Sequence, residues 1–139
     1  CFSGDVGGVI GNLNNAFLFG SNLTKAKFDK AQLVDANLQD TNLDGGSAIG
    51  ANMEHVALLG SSLENCDLSN ANLLRGRLKR ASFRGAIFDG ANLEQAHLER
   101  SDLRNASFKG ANLKGAFLRN TNTENANFDN ANLEGATGL

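Results

Sequence analysis

The sequence contains no proline, no tryptophan and no tyrosine, and it lacks any apolar stretch long enough to cross a bilayer. Because proline is absent, no backbone position is barred from donating a hydrogen bond to a neighbouring segment of chain. A membrane-spanning helix needs roughly 18 or more consecutive apolar residues, and no such run occurs. These absences exclude a transmembrane helix and permit a chain whose backbone is paired along its whole length.

Residues that commonly carry catalysis or bind metals are also scarce. The two histidines, His55 and His97, have no cysteine or carboxylate arranged around them at ligand spacing. No nucleophile elbow is present, and the glycine-rich residues 4–8 lack the Gly-Lys-Ser/Thr ending and the following helix of a phosphate-binding loop. We therefore expect no catalytic residue, no metal site and no cofactor.

What the sequence does contain is a five-residue repeat that keeps its phase from Leu13 to Leu133. The central position of each block is leucine or phenylalanine, except at Ala48, Met53 and Thr123. Two residues before each centre stands a small residue, usually alanine, and the residue just before the centre is often Asn or Asp. Such a repeat must be interpreted before any local motif.

A period of five excludes the two ordinary secondary structures. Five steps of an α-helix turn a side chain by about 140°, which would spread the leucines over every face. In a strand the side chains alternate, so an odd spacing would send successive leucines to opposite faces. All leucines can point inward only if the chain turns a corner every five residues and winds into a coil, with the small residue filling the space beside them.

The number of sides in one coil is indicated by a column of amides. If coils stack about 4.8 Å apart, amides at one position in every coil can hydrogen-bond in a ladder. Reading at intervals of 15 mixes unrelated residue types, whereas intervals of 20 keep the amides together. Four sides of five residues are therefore favoured, and the column is Asn12, Gln32, Asn52, Asn72, Asn92, Asn112 and Asn132.

Blocks such as Ala36-Asn-Leu-Gln-Asp and Ala91-Asn-Leu-Glu-Gln closely resemble the repeats of the pentapeptide repeat family, over about residues 11 to 138. The resemblance implies an all-β fold, a right-handed quadrilateral parallel β-helix of about six coils of 20 residues. The handedness comes from the resemblance and not from the periodicity. The resemblance also points to a bacterial or cyanobacterial protein.

The chain divides into an N-terminal non-repeat segment or cap, residues 1–10, and a single β-helix domain, residues 11–139. It begins with Cys1, which is compatible with a trimmed start, a processed N-terminus or a fragment of a larger protein. We expect a soluble protein, located in the cytoplasm or, if Cys1 is a processed end, in a periplasm or thylakoid lumen. The repeat runs to Leu139 with no amphipathic capping helix in this sequence. We expect either that a native cap has been cut away or that this end stacks on a partner, with end-to-end self-association as one possibility.

Two positions inside the repeat give local expectations. The block around Ala48 places a small side chain where leucine belongs, so we expect a smaller core residue, a bulge, or Ile49 turned inward, with Met53 filling the gap. Cys66 occupies a small-residue position and is expected to be a buried thiol.

Charge is distributed unevenly over the four sides. The basic wall is defined here as the outward residues of the blocks centred on Leu18, Leu38, Leu58, Leu78, Leu98 and Leu118. It carries five cations against Asp40 and Glu99, a net charge of +3, whereas the other three walls total −2, −1 and −1. The same wall holds every outward phenylalanine of the repeat region, with Leu59 between them. Its candidate partner-binding residues are Phe17, Phe19, Leu59, Arg77, Lys79, Arg80, Arg100, Phe117 and Arg119.

This surface is open to several interpretations. In the first, the wall binds no partner, because a run of solvated charge such as Arg75 to Arg84 with scattered apolar residues is common on proteins. Alternatively, the wall docks an acidic or amphipathic protein, because arginine and aromatic residues are enriched at interface hot spots. Some members of the resembled family mimic DNA and bind type II topoisomerases such as gyrase, but mimicry needs a strongly acidic rod, and this chain has a net charge of only −2. Direct nucleic-acid binding is a lesser alternative, opposed by the isoelectric point of about 5.6.

Overall fold

The computed structural model describes residues 11–139, and the N-terminal segment of residues 1–10 lies outside the described residues. Across the described range, the five-residue blocks share one pattern. A bridge residue is followed by the central residue, and a two-residue turn comes next. No helix and no strand longer than a single bridge residue occurs between residues 11 and 139. The molecule is thus built from corners joined by very short extended sides.

Parallel bridges join residues that are twenty positions apart, beginning with Asn12 and Gln32 and ending with Phe117 and Thr137. Successive bridges start every five residues, so one circuit of the chain has four sides. Each bridge is held by backbone hydrogen bonds; for example, the Leu33 N–H donates to the Asn52 carbonyl oxygen at 2.7 Å. The predicted spacing of twenty is confirmed.

Most corners are turns closed by a hydrogen bond from the small residue back to the centre of the preceding block. The Ala36 N–H, for instance, donates to the Leu33 carbonyl oxygen at 3.1 Å. The third residue of every turn has a positive φ, as in type II turns, a conformation that glycine and asparagine adopt most readily. Asp35, with φ of 57°, and Arg75, with φ of 53°, also adopt it. The repeated corner therefore tolerates many residues, because the pairing of adjacent coils holds it.

The core is a column of leucine and phenylalanine side chains flanked by alanines. Leu33, Leu73 and Leu93 are completely buried. Where phenylalanines succeed one another on one side, their rings stack along the axis: Phe88 and Phe108 are 4.8 Å apart at 3°, and Phe108 and Phe128 are 4.9 Å apart at 5°. Ring spacing close to that of neighbouring coils lets the aromatic stack continue without distorting the backbone.

The block centred on Ala48 keeps the same pairing with the adjacent coils as the other blocks. Ala48 is buried in the core position, while Ile49 points outward with 37% of its surface exposed. Ser47 retains its bridges to Lys27 and Asp67. The expectation of a smaller core residue is therefore confirmed, and the alternatives of a bulge or an inward Ile49 are wrong, because the coils on both sides fix the backbone at Ser47. Met53 is buried in the next block.

The amide column forms the predicted ladder from Gln32 to Asn132. Each Nδ2 donates to the side-chain oxygen of the preceding coil, with distances of 3.2 Å for Asn52 to Gln32 and 3.1 Å for Asn72 to Asn52. The same bonds continue through the next three coils. Asn12 does not join it; its Oδ1 accepts instead from the Asn14 N–H at 3.1 Å.

One corner, following the basic wall, carries serine or threonine in place of alanine in every coil except that of Ala81. The Ser101 Oγ donates to the Leu78 carbonyl oxygen at 2.7 Å and accepts from the Ala81 N–H at 3.3 Å. At most other corners the corresponding N–H and carbonyl groups bond to each other, but these two do not. Ser61 bridges the corresponding groups two coils earlier, at 2.6 Å and 3.2 Å. A buried hydroxyl is thus inserted into alternate turns of this corner.

Cys66 is buried, as expected for its small-residue position. Burial raises the pKa of its thiol to about 12, and the nearby carboxylates Asp67, Asp29 and Asp44 act in the same direction. The thiol is therefore held in its neutral form.

Candidate functional site

The backbone N–H of the residue after each centre faces the outer surface, and on most walls an Asn or Asp side chain caps it. In one arrangement the cap is the residue just before the centre, as when the Glu94 N–H donates to Asn92 Oδ1 at 3.2 Å. In another, the cap comes from the preceding coil, as when the Lys109 N–H donates to Asp89 Oδ1 at 3.1 Å. The first arrangement explains the preference for Asn and Asp before the centre, because such side chains readily accept from nearby backbone N–H groups.

The basic wall differs, because most of its N–H groups at this position are uncapped. The Gln39 N–H donates to Asn37 Oδ1 at 3.1 Å, but the corresponding positions further along carry no Asn or Asp. The residues standing there are Ala57, Arg77, His97 and Phe117. Within residues 11–139, hydrogen-bond acceptors are absent for the backbone N–H groups of Leu59, Lys79 and Arg119. Three donors therefore face outward along this wall.

A groove of about 540 Å³ runs over the same part of the basic wall. It is lined by residues of four successive coils, so it extends roughly 14 Å along the axis at the usual spacing of paired chains. The lining contains four cations, one carboxylate and one apolar side chain. These residues are Leu59, Lys79, Arg80, Glu99, Arg100, Arg119 and Asn120.

Glu99 is the carboxylate of the groove, and it is held by its neighbours. Its Oε1 lies 3.0 Å from Lys79 Nζ and 3.5 Å from His97 Nδ1. Partial burial acts to raise the pKa of Glu99, but its own backbone N–H and the Lys79 and His97 side chains outweigh burial and lower the pKa below the ordinary value. Its Oε2 is buried and has no hydrogen-bond partner in the described part of the chain. Glu99 thus stands as an anion inside a cationic groove, with one oxygen unsatisfied.

The arginines of the basic wall have no such partner. Elsewhere, Arg104 binds Asp102 with an Nη2–Oδ2 distance of 2.5 Å, and this bond lowers the pKa of Asp102. By contrast, among residues 11–139, none of the four arginines of the basic wall forms an ion pair with a carboxylate. These are Arg77, Arg80, Arg100 and Arg119. Their guanidinium groups remain available for an external anion.

The structure brings together five of the nine residues predicted from the sequence and separates the rest. The groove is lined by Leu59, Lys79, Arg80, Arg100 and Arg119, whereas Phe17, Phe19, Arg77 and Phe117 lie outside its lining.

The exposed phenylalanines do not form one patch. Phe17 and Phe19, which are 75% and 52% exposed, stack on each other with centroids 6.1 Å apart. Phe117 lies five coils away, roughly 24 Å along the axis, and stacks on the His97 ring at 4.6 Å.

Sequence reasoning missed Glu99 and the uncapped N–H groups as parts of this site. Both leave a signal in the sequence. Glu99 shares a column of period twenty with Lys79 and Arg119, and the position before the centre lacks Asn or Asp at Ala57 and Phe117.

Within residues 11–139, no group of three or more His, Cys, Asp or Glu side chains is placed to hold a metal ion. No helix in the described range has the length and apolar character to cross a membrane.

A family model described as pentapeptide repeats matches the chain in eight copies, over residues 11–40, 36–75, 49–85, 86–122 and 106–137. The chain belongs to the pentapeptide repeat family. Proteins of this family fold as right-handed quadrilateral β-helices, in agreement with the four-sided circuit and parallel bridges described above.

Similar solved structures are also pentapeptide repeat proteins. One from the Arabidopsis thaliana thylakoid lumen is 23% identical, with a TM-score of 0.54, over 75% of this chain and 66% of that chain. Rfr23 from the cyanobacterium Cyanothece 51142 is 25% identical, with a TM-score of 0.48, over 93% of this chain and 88% of that chain. A protein from Nostoc Pcc 7120 is 32% identical, with a TM-score of 0.28, over 82% of this chain and 65% of that chain. A comparison with curated proteins gives no match.

Proposed function

We propose that this pentapeptide repeat protein, with about six coils of 20 residues, is a non-catalytic interaction module whose basic wall docks an acidic or amphipathic protein. The observation that carries the proposal is the concentration of cations on one wall. That wall has a net charge of +3, and each of the other three has a net negative charge. An acidic partner would be steered toward one side of the rod and repelled from the rest.

The state of these cations supports the proposal. Arg77, Arg80, Arg100 and Arg119 make no internal ion pair among the described residues, so a partner's carboxylates can bind these four arginines without breaking an existing ion pair. Arginine is the cation best suited to an interface, since its planar fork binds carboxylates in a bidentate manner. Leu59 and the exposed phenylalanines add apolar surface on the same wall, which suits an amphipathic partner.

Reversing the charge of the wall tests the proposal. The variant Arg77→Glu, Lys79→Glu, Arg80→Glu is expected to fold normally and to lose partner capture in a pull-down, because exposed cations contribute little to folding but dominate encounter with an acidic surface. The matched control is Lys27→Glu, Lys30→Glu, Lys109→Glu, which changes the same charge at exposed positions of a different wall. Capture that is equal for both variants would refute docking on the basic wall.

The charge distribution weighs against the two nucleic-acid alternatives. A DNA mimic needs an acidic surface in place of phosphates, yet residues 71–139 carry a net charge of +3. A nucleic-acid binder needs a long basic stripe, yet three of the four walls are net negative. A gyrase supercoiling assay with added protein and a salt-dependent shift of duplex DNA test these alternatives directly.

A further inference from the structure

We infer that the groove between Leu59 and Asn120 is an anion-binding site for an extended acidic segment of a partner protein, and that Glu99 occupies this site when the partner is absent. The inference rests on the proposed function and assigns the part of the basic wall that makes the contact. Its basis is that two kinds of anion-binding group, side-chain cations and outward backbone N–H groups, converge on one groove.

Uncapped N–H groups are more frequent in this region than on the other walls, where the Asp29, Arg84 and Asp89 N–H groups also have no acceptor among the described residues. On the wall centred on Leu33, Leu73 and Leu93, the corresponding N–H groups are occupied by asparagine side chains. In the groove, the Leu59, Lys79 and Arg119 N–H groups have no acceptor among the described residues and recur at the coil spacing. A row of unoccupied backbone donors is a recognised means of binding anions, because the donors are fixed in place by the fold.

Glu99 shows how such an anion would sit. Its carboxylate accepts from Lys79 Nζ at 3.0 Å and lies 3.5 Å from His97 Nδ1, so it uses one cation of the groove. Its other oxygen is buried without a partner, which means that this internal arrangement is incompletely satisfied. An incoming carboxylate that takes over Lys79 would release Glu99 to solvent.

The dimensions and charge favour a peptide as the occupant. A length of roughly 14 Å corresponds to about four residues of extended chain, and the lining offers four cations with Leu59 as an apolar contact at one end. The bridge residues of the wall already pair on both sides through backbone bonds, as Arg77 does with Ala57 and His97. The peptide would therefore be held through its side chains and not by adding a strand. A long nucleic acid would extend beyond the groove and meet the net negative walls.

Binding of a defined probe tests this inference. The probe is a short fluorescein-labelled peptide with one leucine and four glutamates, and its control has glutamine in place of every glutamate. Fluorescence anisotropy at two salt concentrations gives the affinity of the complete chain. We expect the acidic peptide to bind and the glutamine peptide to bind far more weakly, with the difference shrinking at high salt.

Three variants address the groove itself. Glu99→Gln keeps the side-chain shape and removes the resident charge, so the acidic peptide should bind about fivefold tighter. Arg100→Gln should weaken binding about fivefold, while Arg84→Gln, on another wall, leaves it unchanged. Phe117→Asn introduces a cap for the Arg119 N–H without changing the net charge. It should bind several-fold more weakly than the matched Phe117→Leu, which removes the ring without adding an acceptor.

Four outcomes would contradict the inference, and each points to a different cause. Unaltered affinity in Glu99→Gln, or equal affinity in Phe117→Asn and Phe117→Leu, would overturn the assignment of the groove. Peptide binding that depends on Arg77 and Phe19 but not on Glu99 or Arg100 would overturn it while leaving the proposed function of the wall intact. Displacement of the peptide by equimolar inorganic phosphate or duplex DNA would show that a different anion is the ligand and refute the peptide as occupant. An absence of peptide binding in the wild-type chain would refute the groove; the charge-reversal pull-down tests the wall separately.

Discussion

Single residues in this repeat take roles that their position in the block does not specify, and Ser101 is an instance. It occupies a small-residue position, yet its hydroxyl joins the Leu78 carbonyl and the Ala81 N–H, two buried backbone groups that do not bond to each other. Alanine fits the space equally well. The serine at this position therefore contributes through its hydrogen bonds and not through its volume.

Replacing this hydroxyl gives a prediction for stability. Ser101→Ala leaves a buried carbonyl and a buried N–H unsatisfied, and should lower the free energy of unfolding by about 1–3 kcal/mol. The control is Ser69→Ala, which removes a hydroxyl that bonds locally to Asp67 near the surface and should change stability by less than about 0.5 kcal/mol. Urea denaturation of both variants measures the difference. Equal effects would mean that the turn at Ala81 closes on its own.

The buried thiol gives a pH-dependent prediction. Because burial raises the pKa of Cys66 to about 12, almost no thiolate is present in the folded chain at pH 8. In a Cys1→Ser background, we expect an aromatic disulfide reagent to label Cys66 slowly in buffer and rapidly in denaturant. The thiol's contribution to stability is full below the pKa of the unfolded cysteine and is lost as the pH rises from there toward about 12. Rapid labelling of the folded chain at pH 8 would contradict the burial of Cys66.

At the scale of structural elements, the unit is one coil, and the amide ladder shows how adjacent coils are joined outside the backbone. Asn92 donates to Asn72 and accepts from Asn112, both at 3.1 Å, and also caps the Glu94 N–H. Asn42, on a neighbouring side, caps the Asp44 N–H at 2.9 Å but takes no part in a ladder. Asn92 therefore both caps a backbone N–H and joins the ladder, whereas Asn42 only caps.

This contrast can be measured. Asn92→Ala and Asn42→Ala both remove a cap, but the first also breaks two ladder bonds. We expect Asn92→Ala to cost about 1–2 kcal/mol more unfolding free energy than Asn42→Ala, since each net hydrogen bond contributes about 0.5–1.5 kcal/mol. Chemical denaturation of both variants compares them. If the two costs are the same, the ladder follows from the stacking of coils and adds nothing to it.

How much could be predicted from the sequence follows from the same contrast. The coil, the core and the ladder were predictable, because each depends on residue types that recur at a fixed spacing. The groove was not, because its shape depends on where the long side chains of Lys79 and Glu99 come to rest. The backbone also hides constraints that the pattern does not show. Gly46 looks exchangeable with alanine, yet a Cβ there would lie 2.6 Å from the Ala26 carbonyl oxygen.

For the whole molecule, stability should depend on position along the rod, because each coil contacts its immediate neighbours alone. Leu73 is completely buried in the middle of the stack, whereas Leu133, in the last coil, is partly exposed. The same substitution at these two positions therefore removes different amounts of packing.

We expect Leu73→Ala to lower the free energy of unfolding by about 2–5 kcal/mol and Leu133→Ala by less than half as much. Thermal and urea unfolding of the two variants make the comparison. Losses of equal size would contradict the weaker packing of Leu133 in the last coil.

The pairing of each coil with the next has a consequence for how such a protein can change over evolution. Bridges and core use the backbone and the inward side chains, so outward side chains that neither cap a backbone N–H nor join the amide ladder have no role in folding. A new recognition surface then needs substitutions at a few positions twenty residues apart, each acquired separately, while the scaffold stays as it is. Duplication of whole coils would lengthen such a surface without redesigning it. Binding preference in this architecture can therefore diverge faster than the fold, and relatives with the same rod need not share a ligand.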